Sequence, residues 1–258
     1  MSKLNLTIPD LSYAAEEALN RLRVNVKFSG KSTKKLLITS SVPNEGKSHI
    51  AIYLWKMLAE AGFRTVFVDG DLRKSVLKDE MDYTCEDEDL KGLAYFLSGM
   101  GEYDEVVHQT NIENADIIPC ANLLQNPSPL LEDPRLEELL NQLAENYDYV
   151  IIDSPPLVSV SDGAQFAALC DGAILVVRCA ETPRGLVRQS INQLARTGCR
   201  LLGMVLNGVE TNKRAYGKYY GYGGYYYSYY YGGDYYGGSD EGTEQSKKKK
   251  HKHRKKES

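Results

Sequence analysis

The chain has 258 residues, 42% of them hydrophobic and 26% charged. That is enough for one α/β domain of roughly 200 residues with a full core plus an appendage, and it excludes a small disulfide-stapled scaffold. The formal charge of −4 hides a split, because residues 247–258 carry eight Lys or Arg against one Glu and leave −11 on residues 1–246.

Five scattered cysteines, Cys85, Cys120, Cys170, Cys179 and Cys199, form no Cys-x-x-Cys pair. They read as small core residues of a reducing compartment, with no structural zinc site. The opening MSKLNLTIPDLSY lacks the apolar run of a signal peptide, and no stretch is long enough to cross a bilayer, so a cytoplasmic chain is expected. In residues 1–31, Ala14, Ala18, Leu22 and Val26 recur every fourth position and predict an amphipathic helix.

From 32 to 213, short apolar runs alternate with helical patterns, the signature of βαβ units and a mostly parallel sheet. Strands are predicted at Lys35–Thr39, Arg64–Val68, Asp116–Pro119, Tyr149–Ile152, Ala173–Val177 and Leu202–Leu206, several of them apolar on both faces. A helix over His49–Ala61 presents Ile50, Leu54, Met57, Leu58 and Ala61. A second, over Pro134–Glu145, presents Leu136, Leu139, Leu140 and Leu143 and opens with Asp133 as N-cap and Pro134 at its first position.

Composition then changes abruptly. Ala215–Gly238 holds eight glycines and twelve tyrosines in twenty-four residues, the tyrosines being Tyr216, Tyr219, Tyr220, Tyr222, Tyr225, Tyr226, Tyr227, Tyr229, Tyr230, Tyr231, Tyr235 and Tyr236. Gly-rich sequence with few aliphatic side chains predicts a disordered tail over 214–238, followed by a charged, Lys-rich terminus over 239–258.

Between the first strand and the helix containing Trp55 lies SSVPNEGKSHIA. A phosphate loop has the form GxxxxGK[ST]: backbone amides and a helix N-terminus surround phosphate oxygens, the lysine reaches the terminal phosphates and the hydroxyl binds magnesium. Gly46, Lys47 and Ser48 match, while Ser41 stands at the first glycine; the strand before and the helix after support nucleotide binding by Pro43, Asn44, Glu45, Gly46, Lys47, Ser48 and His49. The expected fold class is therefore α/β and P-loop NTPase-like, with helices on both faces of the sheet. Asp153 ends the strand YVIID and Asp69 and Asp71 follow VFV, placing carboxylates where magnesium would sit. Asn207, at the end of the last strand, has two open readings: a contact to the base of the nucleotide, or a turn cap.

With these residues in place, SSVPNEGKS, VFVDGDLRK and VIIDSPP resemble the Walker A, Walker A′ and Walker B motifs of the bacterial tyrosine kinases of capsule and exopolysaccharide synthesis, and the Tyr-rich end completes the likeness. NPSPLLEDPRLEELL and LLGMVLNGV are similar to the corresponding stretches of that family. The resemblance implies an ATP- and Mg2+-dependent autokinase that phosphorylates its own tyrosine cluster. In it Lys47 stabilises the transferred phosphate, Ser48, Asp71 and Asp153 hold the metal, and Asp69 contacts the incoming hydroxyl. Arg73 has a phosphate contact or simple solvation open to it.

The family also implies a homo-oligomer, a membrane-bound polysaccharide co-polymerase-type activator that recruits the chain to the inner membrane face, and further protein substrates; nucleic acid is not an expected partner. Its oligomerisation helix carries Glu-x-x-Arg-x-x-Arg. Here Glu17 and Arg23 fit, but the middle position is Asn20, with Arg21 one place on. An alternative is a regulatory P-loop ATPase of the partitioning and cell-division type, whose additional loop lysine is replaced here by Val42. A third reading makes the Gly-Tyr segment a self-association module. The basic end offers a solubilising role or a contact to phosphotyrosine, anionic lipid or nucleic acid.

Overall fold

The computed structural model describes residues 3–85 and 90–209. The twelve cluster tyrosines, the Lys-rich terminus and the 213/214 boundary lie outside the described residues. In chain order the elements are β1 (Lys3–Asn5), α1 (Tyr13–Lys27), β2 (Lys35–Ser40), α2 (Lys47–Glu60), β3 (Thr65–Asp69), α3 (Leu77–Met81), β4 (Thr84–Cys85), α4 (Leu93–Leu97), α5 (Tyr103–Val106) and β5 (His108–Thr110). They continue as β6 (Ala115–Ile118), α6 (Ser128–Leu131), α7 (Pro134–Asn146), β7 (Tyr149–Asp153), α8 (Asp162–Leu169), β8 (Gly172–Arg178), α9 (Arg184–Thr197) and β9 (Leu201–Asn207).

The described strands form one sheet in the order β4-β1-β5-β6-β3-β7-β2-β8-β9. From β6 to β9 every pairing is parallel, so these strands all end on one edge. Antiparallel pairings occur only at the far side, between β5 and β6 and between β1 and β4. Alternation along the buried strands divides the core in two. Leu37, Val68, Ile152 and Leu175 pack with Leu139 and Leu143 of α7, Phe166 of α8 and Leu194 of α9. Leu36, Phe67, Ile151 and Val176 pack on the other face with α1 and α2. Helix α2 is buried almost all round, and Trp55 meets the Phe67 ring edge-on at 5.7 Å.

Helix α1 forms where the periodicity put it, with Ser12 accepting a hydrogen bond from the Ala15 amide as N-cap, but its buried stripe differs. Leu19 and Val26 are buried and Ala15 and Leu22 half-buried, whereas Ala14 and Ala18 are exposed. A strict four-residue repeat drifts about 40° per step, since the helix has 3.6 residues per turn. The 4-3-4 spacing of Ala15, Leu19, Leu22 and Val26 stays on one face. Residues 3–31 add a strand and this helix to the same compact unit as the rest of the described chain. Cys120, Cys170, Cys179 and Cys199 are free thiols.

Candidate active site

The site forms where β2, β3 and β7 end together. After β2 the chain turns through Asn44 (φ 66°) and Gly46 (φ 88°) into α2. Glycine at 46 answers two demands: a left-handed backbone, and space, because a Cβ there would stand 2.1 Å from Asn207 Nδ2. Helix α2 begins with no side-chain cap and no acidic residue in its first turn. Its free amides and positive dipole end therefore suit an anion.

Lys47 opens that helix and points at carboxylates. Its Nζ lies 3.3 Å from Asp71 Oδ2 and 3.6 Å from Asp153 Oδ1, and donates to Ser48 Oγ at 3.1 Å. Burial pulls the ammonium down, but Asp153 and Asp71 outweigh it and hold its pKa above the usual lysine value. Asp69 is 2% exposed and accepts from the Ser75 hydroxyl and from the Asp71 amide. Burial above all, with Asp153 and Asp71 adding to it against Ser75 and Lys47, pushes its pKa up to about 7. Burial likewise raises Asp153 despite Lys47.

The crowding is built into the backbone. Gly70 donates its amide to Asp153 O at 2.8 Å, and a Cβ at Gly70 would meet Phe166 Cζ at 2.8 Å, so the segment after β3 lies flush against the end of β7. Asp153 Oδ1 is buried and accepts no hydrogen bond. An orphaned carboxylate oxygen beside Ser48 and Asp71 fits a hard cation such as Mg2+, which prefers oxygen donors. Among the described residues no group of three His, Cys, Asp or Glu side chains is placed to hold a metal ion. A cleft of about 260 Å³ opens above this cluster, lined by Pro43, Asn44, Lys47, Asp71, Lys74 and Pro156 among others.

The structure gathers Lys47, Ser48, Asp69, Asp71 and Asp153, as the strand-end positions required. Three expected residues stand differently. Glu45 turns its side chain away from the cleft and is 1% exposed. His49 pairs through Nδ1 with Glu80 Oε2 at 3.3 Å and packs on Tyr53, though it still borders the cleft. Asn207 gives its amide to the Glu45 carbonyl at 2.9 Å. Arg73 is half-buried and borders the cleft, and its guanidinium grips Asp162 at 2.6 and 3.1 Å and reaches Ser128 and the Gln125 carbonyl. Ser75 and Asp162 were not singled out from sequence; neither follows an apolar strand, and no spacing rule marks them. On α1, Glu17 and Arg21 are exposed and Arg23 half-buried.

Residues 42–197 match the family model described as an AAA domain. The septum site-determining protein MinD complexed with Mg-ADP from Pyrococcus horikoshii shares the fold, with a TM-score of 0.56 at 22% identity over 72% of this chain and 76% of that one. The class is thus a P-loop NTPase-like α/β domain. Within it, the tyrosine-protein kinase CpsD of Streptococcus agalactiae is 35% identical over 225 residues, covering 86% of this chain and 97% of the relative. The kinase domain of Escherichia coli tyrosine kinase ETK superposes with a TM-score of 0.72 at 29% identity, over 77% of each chain. This chain belongs to the bacterial tyrosine-protein kinase family. Among the described residues, no helix is long and apolar enough to cross a membrane.

Proposed function

We propose that the protein transfers the γ-phosphoryl group of ATP to tyrosines of its own 216–236 cluster and so regulates capsular or exopolysaccharide synthesis. The observation that carries this is the knot of three buried carboxylates around Lys47, with Asp153 Oδ1 accepting no hydrogen bond beside an anion-receptive helix start. In this reading the loop amides and Lys47 hold the phosphates. Ser48, Asp71 and Asp153 would hold Mg2+, which when bound neutralises charge on the phosphate oxygens. The tyrosine oxygen forms a bond to the γ-phosphorus as the bond to the β-phosphate oxygen breaks, ADP leaves, and Asp69 takes the hydroxyl proton. An ordinary aspartate is a poor match for a phenol of pKa ~10, and a carboxylate raised to about 7 by burial is a better one.

Asn207, at the end of β9, touches the phosphate loop, and the first cluster tyrosine, Tyr216, follows nine residues later in the sequence, which supports delivery of the cluster to this edge. Assembly of several copies through Glu17, Arg21 and Arg23, with a membrane-bound activator that brings the chain to the inner membrane face, completes the proposal. The rival is a regulatory ATPase of the MinD kind, supported by the shared fold alone. Incubation of the full-length protein with γ-labelled ATP and Mg2+ separates them. The kinase reading expects label retained on protein tyrosine; release as free phosphate with none on tyrosine supports the ATPase.

A further inference from the structure

Behind the phosphate loop, one buried carboxylate joins three parts of the site. Glu45 Oε2 accepts from the Ser41 amide at 2.6 Å and the Val42 amide at 2.8 Å, both within the loop. Its Oε1 accepts from the Arg178 amide at 3.1 Å, where β8 ends, and from the Thr182 hydroxyl just before α9. The main-chain carbonyl of the same residue accepts from Asn207 Nδ2, and Asn207 Oδ1 in turn accepts from the Gly208 amide at 2.9 Å.

Three of the four side-chain partners are backbone amides, which can only donate. An acceptor-only group therefore satisfies them all, whereas a glutamine would set its own N–H against one of them. The left-handed residues on either side, Asn44 and Gly46, let the backbone turn toward the cleft while the Glu45 side chain turns inward.

We propose that Glu45 is a positioning residue: it holds the phosphate loop in its nucleotide-receiving shape and locks that shape to the connection after β8 and to the end of β9. Nucleotide grip and the placement of Asn207 and Gly208, from which the chain continues toward its tyrosines, then change together. The inference rests on the nucleotide-binding half of the proposed function and not on tyrosine transfer.

Calorimetry of Mg·ADP binding to the full-length protein tests it, with Glu45→Gln and Thr182→Val beside wild type, at a temperature where circular dichroism shows each folded. Losing a charged acceptor from a preorganised loop should weaken ADP binding about tenfold or more in Glu45→Gln, and less in Thr182→Val. With ATP, KM should rise more than kcat falls. Amide exchange at Arg178 and Gly208 should slow on ADP addition in wild type and not in Glu45→Gln. A purely structural role would lower the melting temperature yet leave the folded variant's affinity intact, and wild-type affinity in folded Glu45→Gln overturns the proposal. Should that variant not fold, Thr182→Val decides: unchanged affinity together with unchanged ADP-dependent protection at Arg178 overturns it. ADP binding without tyrosine labelling would defeat the kinase reading alone, and a wild type that takes up no Mg·ADP would overturn both.

Discussion

The two edges of one sheet treat their charges in opposite ways. On the edge where the parallel strands begin, three carboxylates have backbone or hydroxyl partners. Asp171 accepts from the Lys34 and Lys35 amides at 2.8 and 2.7 Å, Asp148 from the Arg64 amide at 2.9 Å, and Asp116 from the Tyr147 hydroxyl at 2.5 Å. Lys34 ends on the carbonyls of Ala144 and Tyr147, at the end of α7. On the edge where the strands finish, Asp69, Asp71 and Asp153 crowd one lysine, and the buried Asp153 Oδ1 accepts no hydrogen bond. Buried charge without full compensation is costly, so the second edge is a place where folding free energy is given up for a ligand. The first edge stabilises the molecule and the second equips it.

Substitutions at the two edges should therefore separate activity from stability. The largest effect is expected from Lys47→Met, which removes the cation facing both the phosphates and the carboxylates. Tyrosine labelling should drop by about a thousandfold. Wild-type labelling in that variant would remove the site from the mechanism.

Asp69→Asn should lower the transfer rate by roughly 10²- to 10⁴-fold, the range of general-base contributions, while making the nucleotide-free protein more stable. The sign follows from its pKa. Folded Asp69 titrates near 7 and the unfolded residue near 3.8, so between those values the native state binds the additional proton and wild-type stability falls as pH rises. The stability advantage of Asp69→Asn in denaturant unfolding should be largest above pH 7, at about 2 to 4 kcal/mol, and vanish toward pH 4. A variant less stable than wild type at pH 8 would contradict this.

At the opposite edge the pattern should reverse. Asp171→Ala removes the acceptor of two backbone amides and should cost about 1.5 to 3 kcal/mol in denaturant unfolding, with kcat unchanged. The smallest effect, about 1 kcal/mol, is expected for Tyr147→Phe, which leaves Asp116 without its hydroxyl partner. A fall in kcat for either would mean that the two edges are not independent.

The second edge was largely legible in the residues, and the first was not. Apolar runs flanked by helical patterns fixed β2, β3, β6, β7, β8 and β9 to within about two residues, and strand-end position alone brought Asp69, Asp71 and Asp153 to Lys47. Local pattern carries no information where partners are remote. β1 has a single buried side chain, Leu4, and exists because it slots between β4 and β5. Arg73 read as solvated or phosphate-bound because its partner, Asp162, lies 89 residues away. Glu45 read as one loop residue among several, and its inward turn depends on Arg178 and Thr182, more than 130 positions later. The even spacing of Ala14, Ala18, Leu22 and Val26 misled because alanine burial is decided by which neighbour packs, not by period alone.

The central claim concerns where the phosphoryl group goes. Phosphosite mapping by mass spectrometry, on the full-length protein and on a chain with all twelve cluster tyrosines changed to Phe, each given ATP and Mg2+, addresses it most directly. The account expects phosphate on tyrosines within 216–236 of the first and none on the second. ATP turnover that leaves the cluster of the unaltered chain unmodified would contradict it.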